Sequence, residues 1–230
     1  MTHAPGGFLR SYPYWRRFAV LCALITAEFA VVFYGADWFT AQHAQRIHAY
    51  ANAELAIPLV PVMVVPYMTM YVIFLFAPFV LRSAADLDRF AGALALVILV
   101  AGVAFVFLPA EVGFAPASAA ESIWNPWLQF AATLSRKYDL VPSLHVALFT
   151  VAAGTYATRV SATVRVLLGI WLAVVAASTV LTHQHHLIDV AAGLALGAWG
   201  ARIATVASEE TFARGRTPAA VGHKESKCSP

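Results

Sequence analysis

His185 and Asp189 stand four residues apart at the end of an apolar run, in the segment Ser178-Thr179-Val180-Leu181-Thr182-His183-Gln184-His185-His186-Leu187-Ile188-Asp189. On a helix that step puts both side chains on one face. The carboxylate then accepts from one ring nitrogen, fixes the tautomer and leaves the other nitrogen free to attack an electrophile. A second candidate lies upstream in Pro142-Ser143-Leu144-His145, where Pro142 blocks backward extension of a helix and Ser143 is a natural N-cap. The open N–H groups of such a first turn form an anion site, and Arg136 and Lys137 just before it add charge. His145 could give a proton to a leaving oxygen. An anion cradle, an oriented nucleophile and a general acid are the minimum set for phosphoryl transfer through a phosphohistidine.

The elements that must position these groups belong to a membrane. Of 230 residues, 60% are hydrophobic and 12% charged, and the mean hydropathy is +0.71. Those values exclude a soluble domain, a disordered chain and a disulfide scaffold, and no basic run suggests a nucleic-acid partner. Six apolar stretches are expected to form a bundle of six transmembrane helices: 18–36, 55–81, 90–109, 144–157, 164–181 and 190–207. The fourth is short, and the second, with Pro58, Pro61, Pro66 and Pro78, is expected to run along the interface before it crosses. Residues 1–17 then form an N-terminal segment and 208–230 a polar, disordered tail.

Of the 15 Lys and Arg residues, all but Arg46, Arg136 and Lys137 fall on the side of the two termini, so both termini are expected in the cytoplasm and the histidines outside. Between the third and fourth stretches, Ile123, Trp127, Ala131 and Leu134 recur at helical spacing beside Trp124. That pattern predicts an amphipathic helix lying in the outer interface, as an anchor or as a lip that guides a lipid substrate.

At the histidines the chain resembles the type 2 phosphatidic acid phosphatase superfamily. Pro142-Ser143-Leu144-His145 is similar to its P-S-G-H motif, and Ser178 to Asp189 is similar in spacing to its S-R-x5-H-x3-D motif. The resemblance implies a six-helix lipid phosphatase with His185 as nucleophile, Asp189 as its orienting partner, His145 as acid and Ser143 as a phosphate donor. It departs from the family at Thr179, where the motif has Arg, and at Leu108-Pro109-Ala110-Glu111, where a K-x6-R-P motif is missing. The pattern of Ser178, Thr182, Gln184, His185 and Asp189 looks more like the branch of inositol-phosphorylceramide and sphingomyelin synthases, which move phosphorylated head groups between lipids. Thr182 and Gln184 join Ser143, Arg136 and Lys137 as the expected phosphate-binding set. The substrate implied is a lipid phosphate or phospholipid, with no metal and no organic cofactor.

Rival assignments attach to the same residues. His183, His185, His186 and Asp189 are all possible zinc ligands, but adjacent histidines on a helix point apart, and catalysis is favoured. A transporter using the histidines for ions would need polar residues along several spans, and beyond Glu28 and Arg202 there are almost none. Taken singly, His183 and His186 read as structural hydrogen-bonding groups, and His43 and His48 as part of a solvated loop. Glu28 is the one charged residue within the first stretch, as a functional group or a hydrogen bond to a neighbour. Gly193 and Gly197 are expected to seat the last helix on the bundle.

Overall fold

The computed structural model describes residues 12–42, 46–115, 122–135 and 140–214, with side chains as far as residue 206. Seven helices account for its architecture: α1 (Tyr12–Ala41), α2 (Pro61–Val80), α3 (Ala84–Phe107), α4 (Asn125–Leu134), α5 (Leu144–Ala157), α6 (Ala162–Leu181) and α7 (Leu187–Arg214). Among the described residues there is no strand, and one isolated bridge joins Ile47 to Ala110. Five helices are long and apolar enough to cross a bilayer: α1, α2, α3, α6 and α7 as far as Val206. Large apolar side chains stand exposed on their outer faces, among them Leu24, Val31, Leu75, Phe79, Val103, Leu167 and Val206. Water would not tolerate such a belt, and the chain is an all-α, multi-pass membrane protein.

Helix α5 is the centre of the bundle. Every residue from Leu144 to Ala153 is buried, and the helix touches α2, α3, α6 and α7. A helix apolar on all sides is at home only in that position. At 14 residues it is too short to span the ~30 Å hydrocarbon core by its own rise. Ser143 starts it as expected, its hydroxyl accepting the Val146 N–H at 3.3 Å.

Small residues let α7 lie directly on α5. A Cβ at Gly193 would come within 2.5 Å of the Ser143 carbonyl, and one at Gly197 within 2.5 Å of the Ala147 carbonyl. The glycine pair therefore seats α7 inside the bundle, as the spacing suggests.

Two polar ends close the bundle. At one, Arg17 grips Asp88 through two hydrogen bonds, and Arg159 donates to Asp86 Oδ1 at 3.0 Å. Tyr14 donates to the Leu81 carbonyl at 2.6 Å at this same end. His145, His185 and Asp189 lie at the other.

Several helix bounds differ from the sequence expectation. Helix α1 starts at Tyr12, inside the expected N-terminal segment, because Tyr14 finds its partner at the end of α2. Helix α7 runs past 207 to Arg214, since Ser208 to Arg214 contains no helix breaker before Gly215. The rest of the expected disordered tail, 215–230, lies outside the described residues, as do 1–11. The inward face of α4 is Leu128 and Ala131 with Trp124 beside them, packed on Val64, Tyr67 and Met68, while Ile123 and Trp127 point outward. Both faces are apolar at a spacing of four, and only the tertiary contact with α2 chooses between them.

Candidate active site

The approach to His185 is set by the way α6 stops. The N–H of His183 donates to the Val180 carbonyl at 2.9 Å and that of Gln184 to the Thr179 carbonyl at 3.0 Å, which closes the helix in a left-handed turn. His183 takes the left-handed position, φ 58°, where glycine is usual and any side chain costs about 1–2 kcal/mol. Its ring makes contacts that a glycine lacks. It stacks on Phe114 at 4.1 Å and donates Nε2–H to the Ile57 carbonyl at 3.0 Å. The Thr179 carbonyl also takes the N–H of His185 at 3.1 Å, so the end of α6 holds the candidate nucleophile by its backbone.

Two carboxylates occupy the start of α7. Asp189 Oδ2 accepts the N–H of His186 at 2.8 Å, and Glu54 Oε2 accepts that of Leu187 at 2.9 Å. Both satisfy open N–H groups at the positive end of the helix. Asp189 has a second neighbour: its Oδ2 lies 3.5 Å from Nδ1 of His185, the partner expected from the sequence, although His185 is not on the helix as that expectation required but two residues before its start at Leu187. The distance is slightly long for a hydrogen bond. His185 Nδ1 and Asp189 Oδ1 are both buried without a partner among the described residues, an arrangement that a ligand can tighten.

Across from this pair, His145 donates Nε2–H to the Tyr67 carbonyl at 2.7 Å and stacks on the Tyr67 ring at 4.0 Å. The Tyr67 hydroxyl and Ser135 Oγ are 2.7 Å apart, which ties α2 to the end of α4. His145, Gln184, His185, Tyr67, Tyr71 and Ser135 line one cavity of about 30 Å³. It is a small space, of the size that takes ordered water. No Lys or Arg lines it among the described residues.

The expected site residues therefore fall into three groups. His145, Gln184 and His185 share the cavity, with Asp189 directly behind His185. Ser143 and Thr182 are fully buried away from the lining, Ser143 capping α5 and Thr182 donating its hydroxyl to the Ser178 carbonyl at 2.7 Å. Arg136 and Lys137 lie outside the described residues. Thr179, where the resembled motif has Arg, is fully buried, and its hydroxyl donates to the Ala176 carbonyl at 2.8 Å.

His183 and His186 belong to a different structure. Their rings sandwich Phe114, and His186 stacks on Tyr50, which in turn meets His48. His186 accepts the Gly113 N–H at Nε2 and faces Glu54 through Nδ1. Both of its ring nitrogens are thus engaged by the protein, as a structural histidine requires. His48 is exposed and lies 3.5 Å from Glu111, while His43 is outside the described residues.

Sequence reasoning passed over Glu54, Tyr67 and Gly113. Glu54, an acid at the edge of a long apolar stretch, carried a readable signal. Tyr67 and Gly113 act largely through backbone atoms and carried none. No family model matches the chain, and no curated protein matches its sequence.

Proposed function

We propose that the chain is a lipid phosphatase or phosphotransferase that works through a phosphohistidine on His185. The observation that carries this reading is the buried His185–Asp189 pair, 3.5 Å apart, facing His145 across a shared cavity. With Asp189 behind Nδ1, the other nitrogen, Nε2, attacks phosphorus as the ester P–O bond breaks. His145 keeps its Nε2–H on the Tyr67 carbonyl, so to act as the acid it must take up a second proton, on Nδ1, as the imidazolium, and pass that proton to the leaving alcohol. In the second half, water attacks the phosphohistidine, His145 takes its proton back, the P–N bond breaks and inorganic phosphate leaves. Asp189 stays ionised and stabilises the charge on His185.

In this reading the chain crosses the membrane six times, the short α5 starting below one surface at the protected centre of the bundle, and α4 lies in the interface with Ile123 and Trp127 in the lipid. The Lys/Arg bias sets both termini in the cytoplasm and the site at the outer face. The substrate keeps its apolar part in the bilayer, and the partners are the membrane and that lipid.

Thr179, which stands where the resembled motif has Arg and gives its hydroxyl to the Ala176 carbonyl, favours a second reading, transfer of a phospho-head-group to a lipid alcohol. A diester carries less charge than a monoester and needs fewer cations. One experiment separates the two: purified protein is given a lipid monoester in detergent, with and without diacylglycerol or ceramide. Release of free phosphate that depends on His185 supports hydrolysis, and a new phosphodiester supports transfer. Neither product from the wild-type protein would overturn the proposal.

A further inference from the structure

A phosphoryl group attacked by His185 carries charge on its non-bridging oxygens, and those oxygens need donors. Ser143 and Thr182, the hydroxyls expected to meet them, are engaged in their own helix ends. The donors must come instead from side chains that line the cavity.

Ser135 and Tyr67 both line it, with their hydroxyl oxygens 2.7 Å apart. Two hydroxyls hold two protons, and the bond between them uses one. The other has no acceptor among the described residues. A phenol is the more acidic partner and an alkyl hydroxyl the better acceptor, so Tyr67 donates to Ser135 Oγ and the serine keeps the free O–H. Accepting a bond polarises that O–H and makes it a stronger donor. A link between α2 and α4 explains the first proton and leaves the second without a purpose.

The surroundings hold the pair in place. The Tyr67 ring is buried and stacks on His145 at 4.0 Å, so the hydroxyls and the candidate acid share one support. Gln184, from the turn after α6, lines the same cavity. One of its N–H groups goes to the Thr182 carbonyl at 3.2 Å, and the other has no acceptor among the described residues. Two neutral donors from elements far apart in the chain thus border the space that His185 borders. Fixed neutral donors stabilise an oxyanion there without the cost of burying a cation.

We propose that Ser135, polarised by Tyr67, donates a hydrogen bond to a non-bridging oxygen of the phosphoryl group that His185 attacks. Ser135 is then a substrate-binding residue and Tyr67 its positioning partner. The chemistry recognised is a tetrahedral phosphoryl oxyanion, whichever ester carries it, and no covalent bond forms to the serine. The proposal rests on the reading of His185 as nucleophile, but its test measures binding and not turnover.

Orthovanadate, which takes the five-coordinate geometry of phosphorus during transfer, is titrated onto full-length protein in detergent, and its Kd is read by calorimetry. Ser135→Ala should weaken binding by about tenfold or more, the loss of one hydrogen bond to a charged oxygen. Ser135→Thr keeps the hydroxyl and should stay within about threefold of the wild-type protein. Tyr67→Phe leaves the Ser135 proton in place but unpolarised, and its loss should fall between those two. A purely structural link predicts something else, because Ser135→Ala and Tyr67→Phe cut the same bond. Equal losses of binding in those two variants, or a Ser135→Ala Kd within about twofold of wild type, would overturn the proposal. His185→Ala is titrated beside them. Binding that depends on His185 and not on Ser135 overturns this proposal and leaves the nucleophile reading standing, whereas a wild-type protein that takes up no vanadate overturns both.

Discussion

Nε2 of His186 accepts the N–H of Gly113 at 3.1 Å, which places the ring proton on Nδ1, facing Oε2 of Glu54 at 3.3 Å. Protonating Nε2 would set two N–H groups against each other and break the link between the 109–115 segment and the start of α7. Burial holds the His186 pKa below its ordinary 6.5, against the opposing pull of Asp189 and Glu54. Burial alone would raise Glu54, but the N–H groups of Ala51 and Leu187 and the His186 ring together hold it below its ordinary value.

Both shifts have the same sign for stability. The unfolded chain binds more protons than the folded one, so the His186 contribution is complete above about pH 6.5 and is lost as the pH falls through the lowered folded value. Glu54 follows at lower pH. Thermal unfolding in detergent between pH 7.5 and 4 should show this loss, with a flatter profile between pH 6.5 and 5 for His186→Gln. Equal slopes for the two proteins would refute the coupling.

His185→Ala should abolish turnover in a protein that still folds. Asp189→Asn should cost about three to four orders of magnitude in kcat, because the amide favours the wrong tautomer. It also weakens the cap on the His186 N–H, so melting curves must accompany the kinetics. Activity within tenfold of wild type in either variant would remove the nucleophile assignment.

Gly197→Leu drives a side chain into the Ala147 carbonyl and the Thr150 Cβ, each 2.5 Å from a Cβ at that position. Overpacking of this kind costs about 1–3 kcal/mol, more where backbone must move. The same change at Gly169, which has nothing within 4 Å of a Cβ, should be nearly neutral. Comparison of the two melting temperatures checks the packing of α7 on α5.

Tyr67→Phe keeps the stack on His145 and the carbonyl that accepts its Nε2–H, and removes only the link to Ser135. Loss of one part-buried hydrogen bond costs about 0.5–1.5 kcal/mol. Ser135→Ala should match it, and the double variant should cost no more than either alone. Additive losses in the double-mutant cycle would show that the two hydroxyls act separately.

The helix α5 and the His185–Asp189 pair were legible because their signals are local. Pro142 and Ser143 mark a helix start, and a four-residue step keeps ring and carboxylate near each other, here 3.5 Å apart, although His185 lies in the turn before α7 and not on the helix that the step suggests. Glu54 was not legible as a cap for α7, since it lies over 130 residues away in the chain from the N–H of Leu187. The role of Tyr67 was hidden for another reason: its carbonyl, which any residue possesses, is what His145 uses. Thr182 and Ser143 were expected as phosphate ligands from the motif resemblance, and the nearest acceptor or donor in their own helix ends claims each of them.

The glycine contacts between α5 and α7 divide the molecule into parts of unequal stiffness. With the Ser143 N–H donating to the Asp189 carbonyl at 2.9 Å and backbone pressed on backbone down to Ala147, the carriers of His145 and Asp189 form one rigid block. The cavity between His145 and His185 is small, about 30 Å³. Its other walls are α1, at Phe29 and Phe33, and α2 with the end of α4, which the Tyr67–Ser135 hydrogen bond and a small apolar cluster around Leu128 fasten together. A ligand that needs more room than the cavity offers is expected to displace these outer walls and leave the α5–α7 block in place.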